Sequence, residues 1–303
     1  MDWLIICIIA YLLNAGAVVV DKFLLSKKIS NPAVYTFFIS ALSLAALVLI
    51  PLGFKFYPLD QIIVAVVGGI FFAYALLFMF KALRQNEASR ITPFIGGLQP
   101  IFIFILAWFF LQETFSAKLF VAFVVIIFGT IVIAWHRDDN QSKSSKNSQR
   151  TGYLLALIST ILFAISYTIS KYAYIQQGFV SGFVWTRVGA FLGALFLLLI
   201  AQNRQDIIKE IKKPQKNTSL LFLVGQTAGA ISFILVNKAM DLAQSIALVN
   251  ALRGLEYVFL LLIVLGLHRK FPQLLEEKIT PAILAQKIIA TGLIIAGLII
   301  LIV

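Results

Sequence analysis

Charge is scarce in this chain. Asp, Glu, Lys and Arg make up 13% of its 303 residues, while 61% are hydrophobic; soluble domains carry about 25% charged and about 45–50% apolar residues. Cysteine occurs once, at Cys7, which excludes an intrachain disulfide. The two histidines, His136 and His268, are far apart and offer no metal-ligand spacing, so we read them as interfacial residues. No phosphate-binding Gly-Lys-Ser/Thr loop is present, nor a Gly-x-Ser-x-Gly nucleophile turn, and the polar stretches are too short to hold a catalytic domain. The sequence therefore predicts no enzyme, no cofactor and no metal site.

What the chain does have is long apolar runs. Segments 3–20, 29–54, 61–80, 91–112, 119–136, 151–170 and 217–237 contain no charged residue. Three more are apolar but interrupted: 181–201 by Arg187, 245–267 by Arg253 and Glu256, and 281–303 by Lys287. About 20 residues of helix cross the ~30 Å hydrocarbon layer of a bilayer. Barrel strands would alternate apolar and polar residues instead. The expected fold is thus an all-α membrane protein of ten transmembrane helices, with the lipid bilayer as its solvent. Asp2 stands where a signal peptide would be basic, so the first segment is read as a span despite Ala15-Gly16-Ala17.

The net charge of +12 calls for no nucleic-acid partner. With ten spans, alternate loops share a side. Basic residues crowd the loops around 27–28, 84–90, 137–150, 204–216 and 269–278, whereas the opposite side receives only Lys55 and Lys118. The positive-inside rule makes the rich side cytoplasmic. A multi-pass inner-membrane protein follows, with both termini outside and with loops 137–150 and 202–218 in the cytoplasm.

The chain also repeats itself. Lys81-Ala82-Leu83 recurs as Lys238-Ala239-Met240, and the same spacing aligns Gly97-Leu98-Gln99 with Gly254-Leu255-Glu256. Lys22-Phe23 aligns with Lys171-Tyr172, and Gly129 with Gly297. The polar stretch 137–150 divides two halves, 1–136 and 151–303, and reads as a solvated linker. Each half holds five spans. Because five is odd, the second half starts from the opposite side, so the two five-helix repeats are inverted. That architecture belongs to secondary transporters, whose sites lie near the bilayer midplane.

At this point the chain resembles the EamA-type branch of the drug/metabolite transporter superfamily. The likeness rests on Lys81-Ala82-Leu83, Ala88-Ser89, Pro93, Pro100, Leu111-Gln112-Glu113 and Gly129. Gln112 departs from it, standing where glycine is usual; in the second half Tyr257 replaces Pro100 and Lys270 replaces Glu113. The resemblance implies two five-helix units and export as the direction of transport.

The charges inside the ninth span are the leading site candidates. A charge at mid-bilayer costs roughly 2.5–3.5 kcal/mol even on the lenient scale, so such residues face a bundle interior or a wet cavity. On a regular helix Asn250, Arg253, Gly254 and Tyr257 share a face, and Arg253 and Glu256, three apart, can pair. Gln99 is the counterpart of Glu256, beside Pro93, Gly96 and Pro100, where freed carbonyls would line a cavity. Asn14, Tyr74 and Asn237 are uncharged candidates for substrate contact; each on its own reads as helix glue. Arg187, Lys81 and Lys238 are candidates for gating or coupling, although Arg187 is close enough to a helix end to snorkel toward the interface. Lys238 can pair with Asp241, and Gly189 with Gly193 and Gly225 with Gly229 form small-residue packing faces. The bland reading of Arg253 and Glu256 is a buried ion pair that holds helices in register.

The expected function is secondary transport by alternating access, probing a small polar or zwitterionic metabolite such as an amino acid as the substrate. Arg253 would hold an anionic group and Glu256 a cationic group or a coupling proton. Proton-coupled efflux of amphipathic cationic drugs would need Glu256 alone. A scaffold or receptor without transport would need no repeat. The last span looks peripheral or self-associating, so a homodimer is an open expectation.

Overall fold

A computed structural model describes residues 2–25, 31–85, 88–114, 116–134, 146–212, 219–267 and 281–302. The central linker up to residue 145, both histidines and the loop 268–280 lie outside the described residues, as do the side chains of Lys22, Pro93, Gln226 and Lys287. Every element among the described residues is helical: α1 (Asp2–Leu25), α2 (Pro32–Leu42), α3 (Leu59–Gln85), α4 (Ala88–Phe110), α5 (Ala117–Ala134), α6 (Lys146–Leu195), α7 (Ala201–Lys212), α8 (Ser219–Leu242), α9 (Ile246–Ala251), α10 (Gly254–Leu267) and α11 (Pro281–Ile302), with 3₁₀ turns at Ser43–Leu52 and Phe196–Leu199. Among the described residues the apolar segments fall mainly on helix. Three stretches, Pro32–Leu52, Leu59–Gln85 and Arg150–Leu199, are long and apolar enough to cross a membrane; Asp2–Ala17, Phe94–Phe110, Ala117–Val132 and Ile288–Ile300 are shorter apolar helices. Large apolar side chains such as Trp108, Phe109, Phe128 and Ile175 are exposed, as a lipid solvent permits.

Three expectations need correction. The sixth and seventh spans have no loop between them: both lie in α6, which reverses at Gly178 (φ 71°, ψ 162°). A Cβ placed on Gly182 would come within 3.0 Å of the Ala173 carbonyl carbon. A straight helix would hold residues nine apart at about 13 Å. The stretch 202–218 is not simply a loop, because α7 continues helix to Lys212 with Ile207 buried. The ninth span is not one helix but two, α9 and α10.

The helices cluster into two compact units, each drawing on both sequence halves. One contains α2, α3, α4, α6 and α7; the other contains α1, α5, α8, α9, α10 and α11. In the first, α3 lies against both arms of α6. A side chain on Gly69 would collide with the Thr186 carbonyl, and one on Gly189 with Val66. These helices meet backbone to backbone, as the small residues at 189 and 193 predict.

Two serine bonds fall on positions that the sequence spacing aligns. Ser159 Oγ on α6 donates to the Ala75 carbonyl on α3 at 2.8 Å. In the other unit Ser232 Oγ on α8 donates to the Ala10 carbonyl on α1 at 2.8 Å. Position 10 aligns with 159 and position 75 with 232, so this is one helix–helix bond made twice with donor and acceptor exchanged. Within the second unit, a Cβ on Gly129 of α5 would meet Ile294 and Ala290 of α11, while one on Gly297 of α11 would meet Ile126 and Ala122 of α5. The contact is reciprocal, and the pairing runs antiparallel.

Candidate functional site

The break in the ninth span is built by named bonds. Ser245 caps α9, its side chain accepting from the Ala247 N–H at 3.2 Å. Glu113 accepts from the Ile246 N–H at 3.3 Å. Six residues later the helix tightens: the Arg253 N–H donates to the Asn250 carbonyl at 3.2 Å rather than to Val249 four residues back. The Val249 carbonyl is thereby freed, and the Tyr11 hydroxyl of α1 donates to it at 2.9 Å. The Cys7 thiol points at the same oxygen from 3.9 Å. Gly254 restarts the helix where a side chain would strike Thr130 of α5. A freed carbonyl thus stands in the ninth span, and a tyrosine occupies it. Tyr11→Phe should leave that buried carbonyl unsatisfied, at a cost of about 1–3 kcal/mol, read as a lowered melting temperature of the detergent-purified protein.

The break places Arg253 in a two-residue turn, so the shared face expected of one continuous helix does not exist. Instead a cluster forms from α1 and α10. Arg253 Nε lies 3.9 Å from Glu256 Oε2, with the two side chains 30% and 10% exposed. The Asn14 side chain lies beside the Glu256 carboxyl group. Tyr257 lies close enough to feel both charges. Asn250 and Asn237 stand apart from this cluster chemically: their amides donate to the Ile246 carbonyl at 3.0 Å and the Phe233 carbonyl at 2.8 Å, each one turn back on its own helix. Lys238 pairs with Asp241 at 2.6 Å.

The remaining candidates lie in the other unit. Gln99 is buried on α4. Tyr74 and Lys81 on α3 line a cleft of about 750 Å³ together with Arg84. Arg187 does not snorkel. It is 2% exposed, with its guanidinium 4.4 Å from the Phe72 ring centre and 5.4 Å from that of Phe183. Aromatic faces offset part of the lost hydration of a cation. The available signal was Phe183, one turn before Arg187, on an arm whose glycines demand close packing.

Gln112 adopts φ 53°, in the left-handed region. Glycine enters that region without steric cost. The conformation costs a side-chain-bearing residue roughly 1–2 kcal/mol, while glycine loses about 0.5–1 kcal/mol more backbone entropy on folding. Gln112→Gly should therefore be neutral to stabilising by up to about 1 kcal/mol. Gln112→Val should lower the melting temperature, since a β-branched residue fits that region worst.

Among solved structures 29 chains match. One of them, a crystal structure of another protein, superposes with a TM-score of 0.69 at 17% identity, covering 99% of this chain and 96% of its own. At that identity the likeness is one of fold. No curated protein matches. The profile of the family described as sugar transport protein, a drug/metabolite-transporter-like family, matches residues 24–302. With nearly the whole chain covered and apolar helices throughout, the chain belongs to the sugar transport protein family and is a membrane transporter.

Proposed function

We propose that this chain is a secondary transporter of a small polar solute, working by alternating access with ten spans arranged as two inverted five-helix repeats, 1–136 and 151–303. The observation that carries the proposal is the helix break at Arg253, which presents Arg253, Glu256 and Tyr257 within an otherwise apolar span, with Asn14 of α1 beside them. Discontinuous helices that expose polar groups in the bilayer are the binding elements of secondary transporters. The exchanged serine bonds and the reciprocal α5–α11 contact support the inverted repeats. The EamA-like motifs support export, and the loop charges support termini outside the cell with 137–150 in the cytoplasm.

The family's description brings a sugar to the front of the candidate substrates. A carboxylate, an amide, a guanidinium and a phenol together supply donors and acceptors for neighbouring hydroxyls. A zwitterionic metabolite is the second reading, favoured by the 3.9 Å separation of Arg253 and Glu256, which leaves room for each to meet an opposite charge. Proteoliposomes holding the purified full chain decide between them. Counterflow of radiolabelled monosaccharides is expected, amino-acid counterflow alone supports the second reading, and no counterflow from either panel, with and without a pH gradient, would sink the transport proposal.

A further inference from the structure

The cleft in the α2–α3 unit suggests a ligand of its own. Its polar rim carries Lys81 and Arg84, three residues apart on the last turns of α3. Like charges at that spacing repel. Among the described residues neither has a carboxylate partner; Lys81 only leans over the Phe78 ring, 5.4 Å from its centre. Next to them the Gln85 side-chain oxygen is buried and receives no hydrogen bond among the described residues. The opposite wall is apolar, formed by Phe196, Leu197 and Ile200. Asn31 of the same lining donates to the Asp206 carboxylate at 2.7 Å, which occupies that acid elsewhere; two adjacent cations then call for an anion, a buried acceptor for a hydroxyl, and the apolar lining for hydrocarbon.

We propose that this cleft binds a hydroxylated phosphate ester, with Lys81 and Arg84 on the phosphate and Gln85 accepting from a hydroxyl. Two sources carry that chemistry: an anionic lipid of the phosphatidylglycerol type, and a soluble ester such as glycerol 3-phosphate. Basic pockets between spans on the cytoplasmic side bind anionic headgroups, and the loop charges assign this end of α3 to that side. The site is independent of the Arg253 cluster, all of whose residues lie in the other compact unit.

The test uses the full chain in detergent, with melting temperature and lipid retention by native mass spectrometry as readouts. Phosphatidylglycerol, phosphatidylcholine and glycerol 3-phosphate are titrated separately. Stabilisation by phosphatidylglycerol but not phosphatidylcholine supports a lipid ligand; stabilisation by glycerol 3-phosphate supports a soluble one. Lys81→Gln and Arg84→Gln should each weaken that binding about fivefold and reduce its sensitivity to salt. Gln85→Met should narrow the preference for phosphatidylglycerol over phosphatidic acid, which lacks the glycerol hydroxyls. Equal response to charged and zwitterionic lipid with no response to glycerol 3-phosphate overturns the proposal, as does wild-type binding by the Lys81→Gln, Arg84→Gln double variant.

Discussion

Gly189→Ala should cost the protein most of its folded population. The added methyl would lie inside the van der Waals shell of Val66, and the atoms it meets are backbone, which cannot rotate away. To make room, α3 and the second arm of α6 must separate. That movement opens the Phe72–Arg187 stack and removes contact from a helix pair with no water-driven force to close it again. Overpacking a tight core costs about 1–3 kcal/mol when side chains can adjust, and more when they cannot. We expect a loss of about 3 kcal/mol or more, seen as aggregation in size-exclusion chromatography or a large drop in melting temperature. Gly69→Ala, facing Thr186 across the same seam, should behave alike. Gly292→Ala is the control: nothing lies within 4 Å of its added methyl, so it should be neutral or stabilising by up to about 1 kcal/mol. Equal melting of Gly189→Ala and the native chain would show that the α3–α6 seam is drawn wrongly.

Changing the Arg253–Glu256 pair should have the largest effect on transport. Glu256→Gln keeps the shape and removes the charge. A hydrogen bond to a charged group contributes about 1.5–3 kcal/mol, so solute transport should fall roughly 10- to 100-fold. Arg253→Met leaves Glu256 buried beside Asn14 without its cation, and should impair both transport and stability. The stability term is moderate because Arg253 is 30% exposed and keeps part of its hydration. Combining the two changes should destabilise less than the sum of the single effects, since no lone charge remains. The double variant also separates the substrates. A sugar needs hydrogen bonds but no charge, so weak sugar counterflow should survive, whereas a zwitterion loses both anchors and its transport should vanish. Full activity of Glu256→Gln together with loss in Arg253→Met would place an anion, not a sugar, at this site.

Much of the architecture was legible in the chain because a bilayer punishes irregular backbone. Apolar runs of the right length must be helices there, and every described element of this chain is helical. The spacing that aligns Ala10 with Ser159 and Ala75 with Ser232 falls on two serine-to-carbonyl bonds, which is what the proposed repeat would require. The glycines at 189 and 193 announced close packing, since only a missing side chain permits it. The Lys238–Asp241 pair followed from spacing alone, being local to one helix turn.

Tertiary structure decided the rest. The segment through Arg253 contains no proline, and nothing local demands a break; the break is held by Tyr11, far away in sequence, which takes over the Val249 carbonyl that the helix gives up. Arg187 reads as a snorkelling cation until α3 brings Phe72 over it. The compact units mix both halves because a helix packs with whatever neighbour complements its face, not with its nearest neighbour in the chain. Local preference and apolar length set what each segment becomes, while the partner of a freed carbonyl or a buried cation exists only once distant helices have met.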